Sequence, residues 1–111
     1  MPWPAFIDAF PGLLTPFPPE QVSMRAVRSD AGLVVFFTFH QDFEVPMHSH
    51  GPQWGVLVRG EARLTIGGTT RSYRPGETWD IPAGVPHGGW IAVGTELIDV
   101  FAEPDRYPLA P

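Results

Sequence analysis

From residue 22 onward, short apolar stretches alternate with turn-forming residues. Residues 33–40 are a run of β-branched and aromatic side chains, which is typical of a buried strand. Apolar and polar positions alternate in residues 62–66, and the Gly67-Gly68 pair that follows is a hairpin signal. The pattern predicts strands at residues 22–28, 33–40, 56–58, 62–66, 69–73, 78–81, 87–93 and 96–101. Many short strands joined by glycine and proline turns predict an all-β sandwich or barrel.

The N-terminal segment has a different composition. Six of the chain's 14 prolines fall within residues 1–19, and proline removes a backbone donor and fixes φ. We therefore expect an irregular segment with one short helical turn near residues 5–10. Its aromatic and leucine side chains are too apolar for a free tail, so it should pack on the barrel or on a partner subunit. We divide the chain into an arm at residues 1–21 and a single barrel domain at residues 22–111.

Length, charge and cysteine content narrow the functional classes. The 111 residues suit one domain, and a formal charge of −5 with scattered arginines disfavours nucleic acid, which needs clustered cations. No stretch approaches the roughly 20 apolar residues that span a bilayer, and the N-terminus lacks the features of a secretory signal. The absence of cysteine excludes thiolate metal sites and fits a cytoplasmic protein. The expected partner is a small molecule or another protein.

Three of the four histidines lie in two places that suit a metal site. His48 and His50 are two residues apart, so on a strand their side chains would project from the same face. His87 follows the proline- and glycine-rich turn at residues 82–86, and this rigid turn sets the direction of the next strand. Imidazoles brought together in this way form part of a tetrahedral or octahedral site. His40, at the end of an apolar strand, is expected to be a structural or rim residue.

Residues 48–60 and 76–87 resemble the two conserved motifs of the cupin superfamily. The four positions that define the second motif are present as Gly76, Pro82, Gly84 and His87. The resemblance extends over roughly residues 22–101 and implies a cupin barrel, which is a jelly roll or double-stranded β-helix, with an irregular N-terminal arm. It also implies one divalent transition metal ion per chain, bound by His48, His50 and His87.

Gln53 is the informative departure from the family pattern, because it stands where these proteins usually have a glutamate ligand. As a fourth ligand, Gln53 would leave the charge of the ion uncompensated and make it a stronger Lewis acid. Alternatively, Gln53 only hydrogen-bonds nearby and leaves a site of three histidines. In either case an imidazole-rich site favours Zn, Ni, Fe, Mn, Co or Cu over Ca or Mg.

Asp99 is an acid inside the apolar strand predicted at residues 96–101, where an ionised carboxylate is costly unless it is paired or functional. Strand alternation places it on one face with Leu97 and Phe101. If that face lines the barrel, Asp99 can act as a general base. The alternative is an aspartate bonded to Arg106 or to backbone amides at the barrel mouth.

The C-terminal tail resembles that of the small cupins that linearise unsaturated uronates in pectin and alginate breakdown. The matching positions are Gln53, Asp99, Phe101, Arg106 and Tyr107. The resemblance implies a metal that polarises the substrate, proton transfer by Asp99, and binding of a carboxylate by Arg106.

These observations predict a metal-dependent enzyme, of isomerase or lyase type, that acts on a small polar molecule such as an unsaturated uronate or other sugar acid. A non-haem dioxygenase is one alternative. A module that binds or senses a small ligand without catalysis is another. The apolar arm and the exposed sheet edges of a small barrel predict a homodimer.

Overall fold

Two antiparallel β-sheets build the fold, with strand orders β1-β2-β9-β4-β7 and β3-β8-β5-β6. The computed structural model of the chain describes residues 3–111. Its elements are α1 (Ala5–Asp8), β1 (Val22–Ser29), β2 (Gly32–Phe39), β3 (Phe43–His48), β4 (Gln53–Arg59), β5 (Ala62–Ile66), β6 (Thr69–Tyr73), β7 (Thr78–Ile81), β8 (His87–Ile91) and β9 (Glu96–Phe101). The all-β jelly roll expected from the sequence is confirmed.

The strand missing from the sequence prediction is β3. Pro46 lies within it, and a proline normally argues against a strand. The structure tolerates Pro46 because β3 is at the edge of its sheet and because its pairing with β8 shifts register between Val45 and His48. Strand β4 also begins earlier than predicted, at Gln53.

The core lies between the two sheets and is built from the alternating inward positions of the strands. On β2 the residues Leu33, Val35, Phe37 and Phe39 are buried while the intervening positions are partly exposed. The same alternation on β9 turns Leu97, Asp99 and Phe101 inward. Asp99 is therefore a charged position on an otherwise apolar inner face.

The N-terminal arm packs against the barrel and pairs with the C-terminal tail. The Trp3 ring meets the Phe36 ring edge-on, with 5.4 Å between centroids. Leu13 forms an antiparallel bridge with Leu109, and the Phe17 ring packs against Phe43 at 5.2 Å. The short helix α1 lies within the expected residues 5–10. Met1 and Pro2, which belong to the predicted arm, lie outside the described residues.

No helix within residues 3–111 has the length and apolar character needed to cross a lipid bilayer.

Candidate metal centre

Three histidine side chains converge at one place in the barrel. His48 ends β3 and His87 begins β8, and the two residues are direct partners across the sheet. The ring centroids of these two residues are 4.3 Å apart, and that of His50 lies 4.8 Å from His87 and 5.2 Å from His48. One nitrogen from each ring falls within 4.8 Å of the others, which is close enough for one ion to contact all three.

His50 reaches this cluster from a loop. The expectation that it shares a strand face with His48 is wrong, because β3 ends at His48 and residues 49–52 form an irregular loop. The backbone carbonyl of His50 accepts a hydrogen bond from the Gly84 N–H at 2.9 Å. The glycine of the second motif thus fixes the backbone that carries a histidine of the first.

Backbone contacts set the tautomer of all three imidazoles. The Nδ1 atoms lie 2.8 Å from the Pro46 carbonyl oxygen, 2.8 Å from that of Gly51 and 3.0 Å from that of Val85, for His48, His50 and His87 respectively. A carbonyl oxygen only accepts, so each Nδ1 carries the proton and each Nε2 keeps a lone pair. The Nε2 atoms of His50 and His87 are buried and have no hydrogen-bond partner. This donor set fits a metal ion.

The charge state of the cluster also suits a metal. Burial lowers the pKa of His50 and His87 below the usual value of 6.5, and the positive charge of Arg106 lowers both further. Hydrogen bonds to backbone carbonyls oppose this shift without reversing it. Both rings are therefore neutral at neutral pH, as metal coordination requires.

Gln53, the first residue of β4, presents one amide atom to the same cavity. Its side chain donates a hydrogen bond to the Asp99 carboxylate, which accepts only from the amide nitrogen. The amide oxygen Oε1 is buried without a partner. Because Asp99 holds the nitrogen, the oxygen is left as the free atom in a cavity that His48 and His87 also line. The oxygen is therefore the atom of Gln53 that is free to serve as a fourth ligand.

Asp99 is held between two donors deep in the barrel. Its Oδ1 accepts a hydrogen bond from Trp79 Nε1 at 2.9 Å, and its carboxylate also accepts from Gln53. Burial raises the pKa of Asp99 from 3.8 to about 6, while these two hydrogen bonds pull it down. The pairing with Arg106 considered from the sequence is replaced by these side-chain contacts.

Arg106 lies in the C-terminal tail and lines the cavity. Its guanidinium carbon stands 4.5 Å from the centroid of the Tyr107 ring and 6.0 Å from that of Phe101. The Nε atom of Arg106 is buried without a hydrogen-bond partner. The two rings hold the cation, and its N–H groups remain available to an anion.

These groups surround a cavity of about 280 Å³ between the sheets. Its polar lining comprises His48, Gln53, His87, Asp99, Arg106 and Tyr107, together with the indole of Trp79. His50 does not line the cavity and instead packs at its margin, with its ring 5.5 Å from that of Phe101. The rest of the wall is apolar.

The supporting roles of two further residues were not predicted from the sequence. Trp79 donates to Asp99, and Glu103 accepts a hydrogen bond from the Gly51 N–H at 2.9 Å while its Oε1 lies 3.7 Å from His50 Nδ1. No local pattern marks either role, because both depend on pairing between distant parts of the chain. His40 lies apart from the cluster, is exposed, and hydrogen-bonds Ser23 Oγ at 2.6 Å.

Comparison with known proteins agrees with this architecture. The sequence model of the cupin domain family matches residues 35–101. An RmlC-like cupin from Shewanella frigidimarina has a TM-score of 0.74 and 22% identity, over 86% of this chain and 86% of that chain. KdgF from a Halomonas species has a TM-score of 0.72 and 22% identity, over 83% and 86% of the two chains.

Oxalate decarboxylase from Bacillus subtilis, which has Mn(II) centres, has a TM-score of 0.67 and 20% identity, over 93% of this chain and 31% of that longer chain. At these identities the three structures show a common fold alone. No protein with a curated function matches the sequence.

Proposed function

Because the chain belongs to the cupin domain family, we propose that it is a metal-dependent enzyme that acts on a small organic acid by Lewis-acid and proton-transfer chemistry. One observation carries the proposal. The unpaired Nε2 atoms of His50 and His87 and the unpaired Oε1 of Gln53 are buried beside a cavity that also holds a buried carboxylate. A structural core has no need of so many unsatisfied polar atoms.

In this proposal His48, His50, His87 and Gln53 hold one divalent transition metal ion. Imidazole and amide ligands are all neutral, so the set suits Zn, Ni, Fe, Mn, Co or Cu. When bound, such an ion supplies Lewis-acid polarisation of a substrate oxygen. The absence of a carboxylate ligand distinguishes the set from the two-histidine, one-carboxylate site of non-haem iron oxygenases.

Asp99 is proposed to move the proton. Its carboxylate lines the cavity, and Trp79 and Gln53 fix its orientation. It would take a proton from the bound substrate and return it at a second position, so that the substrate is isomerised or its ring opened with no net change of atoms. A pKa of about 6 leaves it mostly ionised, and still basic, at neutral pH.

Arg106 is proposed to bind the acid group of the substrate. Its guanidinium is positioned by Tyr107 and Phe101, and a bidentate pair with a carboxylate would satisfy its buried N–H. An unsaturated uronate, as the C-terminal tail suggested, carries such a carboxylate, and so does any other small organic acid. The similarity to uronate-linearising cupins stays a prediction.

Proton exchange with solvent tests the proposal. Metal-loaded protein would be incubated in D₂O with a panel of small organic acids that includes unsaturated uronates, and product formation followed by ¹H NMR. We expect at least one acid to be converted with uptake of deuterium, and Asp99→Asn to abolish conversion while retaining the metal. The exposed aspartate of β7 provides a control, because Asp80→Asn should change neither property. Conversion by Asp99→Asn at the wild-type rate would contradict the assigned role.

A further inference from the structure

The side chains that line the cavity also indicate the chemical character of the substrate apart from its acid group. Five phenylalanine side chains contribute to the wall, together with aliphatic residues from both sheets, and four of the five rings follow one another in contact. Phe37 and Phe39 are stacked with 5.7 Å between centroids, Phe39 and Phe43 are 5.5 Å apart, and Phe17 meets Phe43 edge-on at 5.2 Å. They form a continuous aromatic surface that extends from β2 to the N-terminal arm.

Few polar groups remain for the substrate once a metal is held. His48, Gln53 and His87 are then occupied, and the indole N–H of Trp79 is already donated to Asp99. The described lining residues that remain polar are Asp99, Arg106 and Tyr107. Burial raises the pKa of Tyr107, so its hydroxyl stays neutral.

We infer that the substrate of the proposed reaction is a monocarboxylic acid with an apolar, planar body, either aromatic or conjugated, rather than a polyhydroxylated sugar acid. This inference rests on the proposed function and names the class of acid. Several hydroxyl groups against the aromatic surface would be buried without partners, whereas a flat apolar body makes edge-to-face contacts there. Each hydroxyl left unpaired should cost about tenfold or more in affinity.

Charge and size agree with this class. Among the residues of 3–111 that line the cavity, Arg106 is the one with a permanent positive charge, and its buried Nε lacks a partner. One substrate carboxylate would accept the hydrogen bond of this N–H. The cavity of about 280 Å³ is nearly twice the roughly 150 Å³ of an engineered apolar cavity that accepts benzene. It therefore has space for one ring with a short acidic arm beside the ion.

Calorimetric titration of the metal-loaded protein with phenylacetate and with glucuronate tests the inference. Both probes carry one carboxylate, but phenylacetate has an apolar planar ring and glucuronate has a polyhydroxylated one. We expect phenylacetate to bind at least about tenfold more tightly. Arg106→Gln should weaken phenylacetate binding and keep the metal. Phe17→Ser should reduce the preference, whereas Phe6→Ser, in the same arm but 67% exposed, should leave it unchanged.

The outcomes separate this inference from the proposed function. Equal or tighter binding of glucuronate would overturn the apolar class and leave a metal-dependent enzyme for organic acids in place. An unchanged preference in Phe17→Ser would overturn the part assigned to the arm. A metal-loaded protein that binds neither acid, even weakly, would overturn the inference and the carboxylate-binding role of Arg106 together.

Discussion

The contact between Trp79 and Asp99 predicts a large and specific loss of stability in Trp79→Phe. Trp79 is 4% exposed and Asp99 is 8% exposed, and the indole N–H donates to the carboxylate at 2.9 Å. Phenylalanine keeps an aromatic ring in the core and removes the donor. The carboxylate then stays buried with Gln53 as its remaining side-chain donor.

Two contributions set the size of the effect. Losing a hydrogen bond to a charged acceptor costs about 1.5–3 kcal/mol, and the smaller ring loses roughly 1 kcal/mol of apolar burial. The free energy of unfolding should therefore fall by about 2.5–4 kcal/mol. For a domain of this length, about 4 °C per kcal/mol lowers Tm by roughly 10–16 °C. Trp54→Phe is the matched control, because Trp54 is 43% exposed, and it should stay within about 0.5 kcal/mol of the parent.

Urea unfolding of chelated protein near neutral pH, followed by far-UV circular dichroism, measures both variants without relying on tryptophan fluorescence. A double-mutant cycle with Asp99→Leu, which removes the acceptor, isolates the pair, and we expect a coupling energy of about 1 kcal/mol or more. If Trp79→Phe were no less stable than Trp54→Phe, or if the cycle were additive within about 0.3 kcal/mol, the hydrogen bond would not anchor Asp99 as described.

Three further predictions address titration, backbone geometry and assembly. The pKa of Asp99 is raised from 3.8 to about 6, so its contribution to stability is present at low pH and lost as the pH rises. Chelated wild-type protein should lose roughly 2 kcal/mol of stability relative to Asp99→Asn between about pH 4 and 7, and an equal pH dependence of the two proteins would contradict this. Gly60 and Gly68 have φ angles of 94° and 85°, but a Cβ on Gly60 would overlap Thr95 whereas one on Gly68 meets nothing within 4 Å, so Gly60→Ala should be about 2 kcal/mol more destabilising than Gly68→Ala in the same assay. Multi-angle light scattering should show a homodimer at micromolar concentration, and Val58→Glu, at an apolar position 41% exposed on β4, should shift it toward monomer; a wild-type monomer would contradict the expectation.

The sequence predicted the parts of the fold that depend on local pattern. Apolar alternation placed Asp99 on one face of β9 with Leu97 and Phe101, and in the structure that face is the buried one. The strands predicted at residues 22–28 and 33–40 leave residues 29–32 as their connection, and the structure joins β1 to β2 there, with Ser29 paired to Gly32. In a strand, the period of the side chains is enough to decide which residues share a face.

The features that the sequence did not predict depend on long-range strand pairing and on local irregularity. Gln53 and Asp99 meet because β4 and β9 are neighbours in one sheet, and Trp79 joins them from β7 on the other side of β4. A linear pattern carries no information on that order of strands. Strand β3 was not predicted because it contains Pro46. The edge position and the register shift that accommodate this proline are properties of the assembled sheet.

Metal analysis of the protein purified without added metal or chelator tests the central claim most directly. We predict about one transition-metal ion per chain in the parent and in His40→Ala, whose histidine lies outside the cluster, and loss of the ion in the double variant His48→Ala/His87→Ala. A parent protein that contains no metal and takes up none on reconstitution would contradict the account.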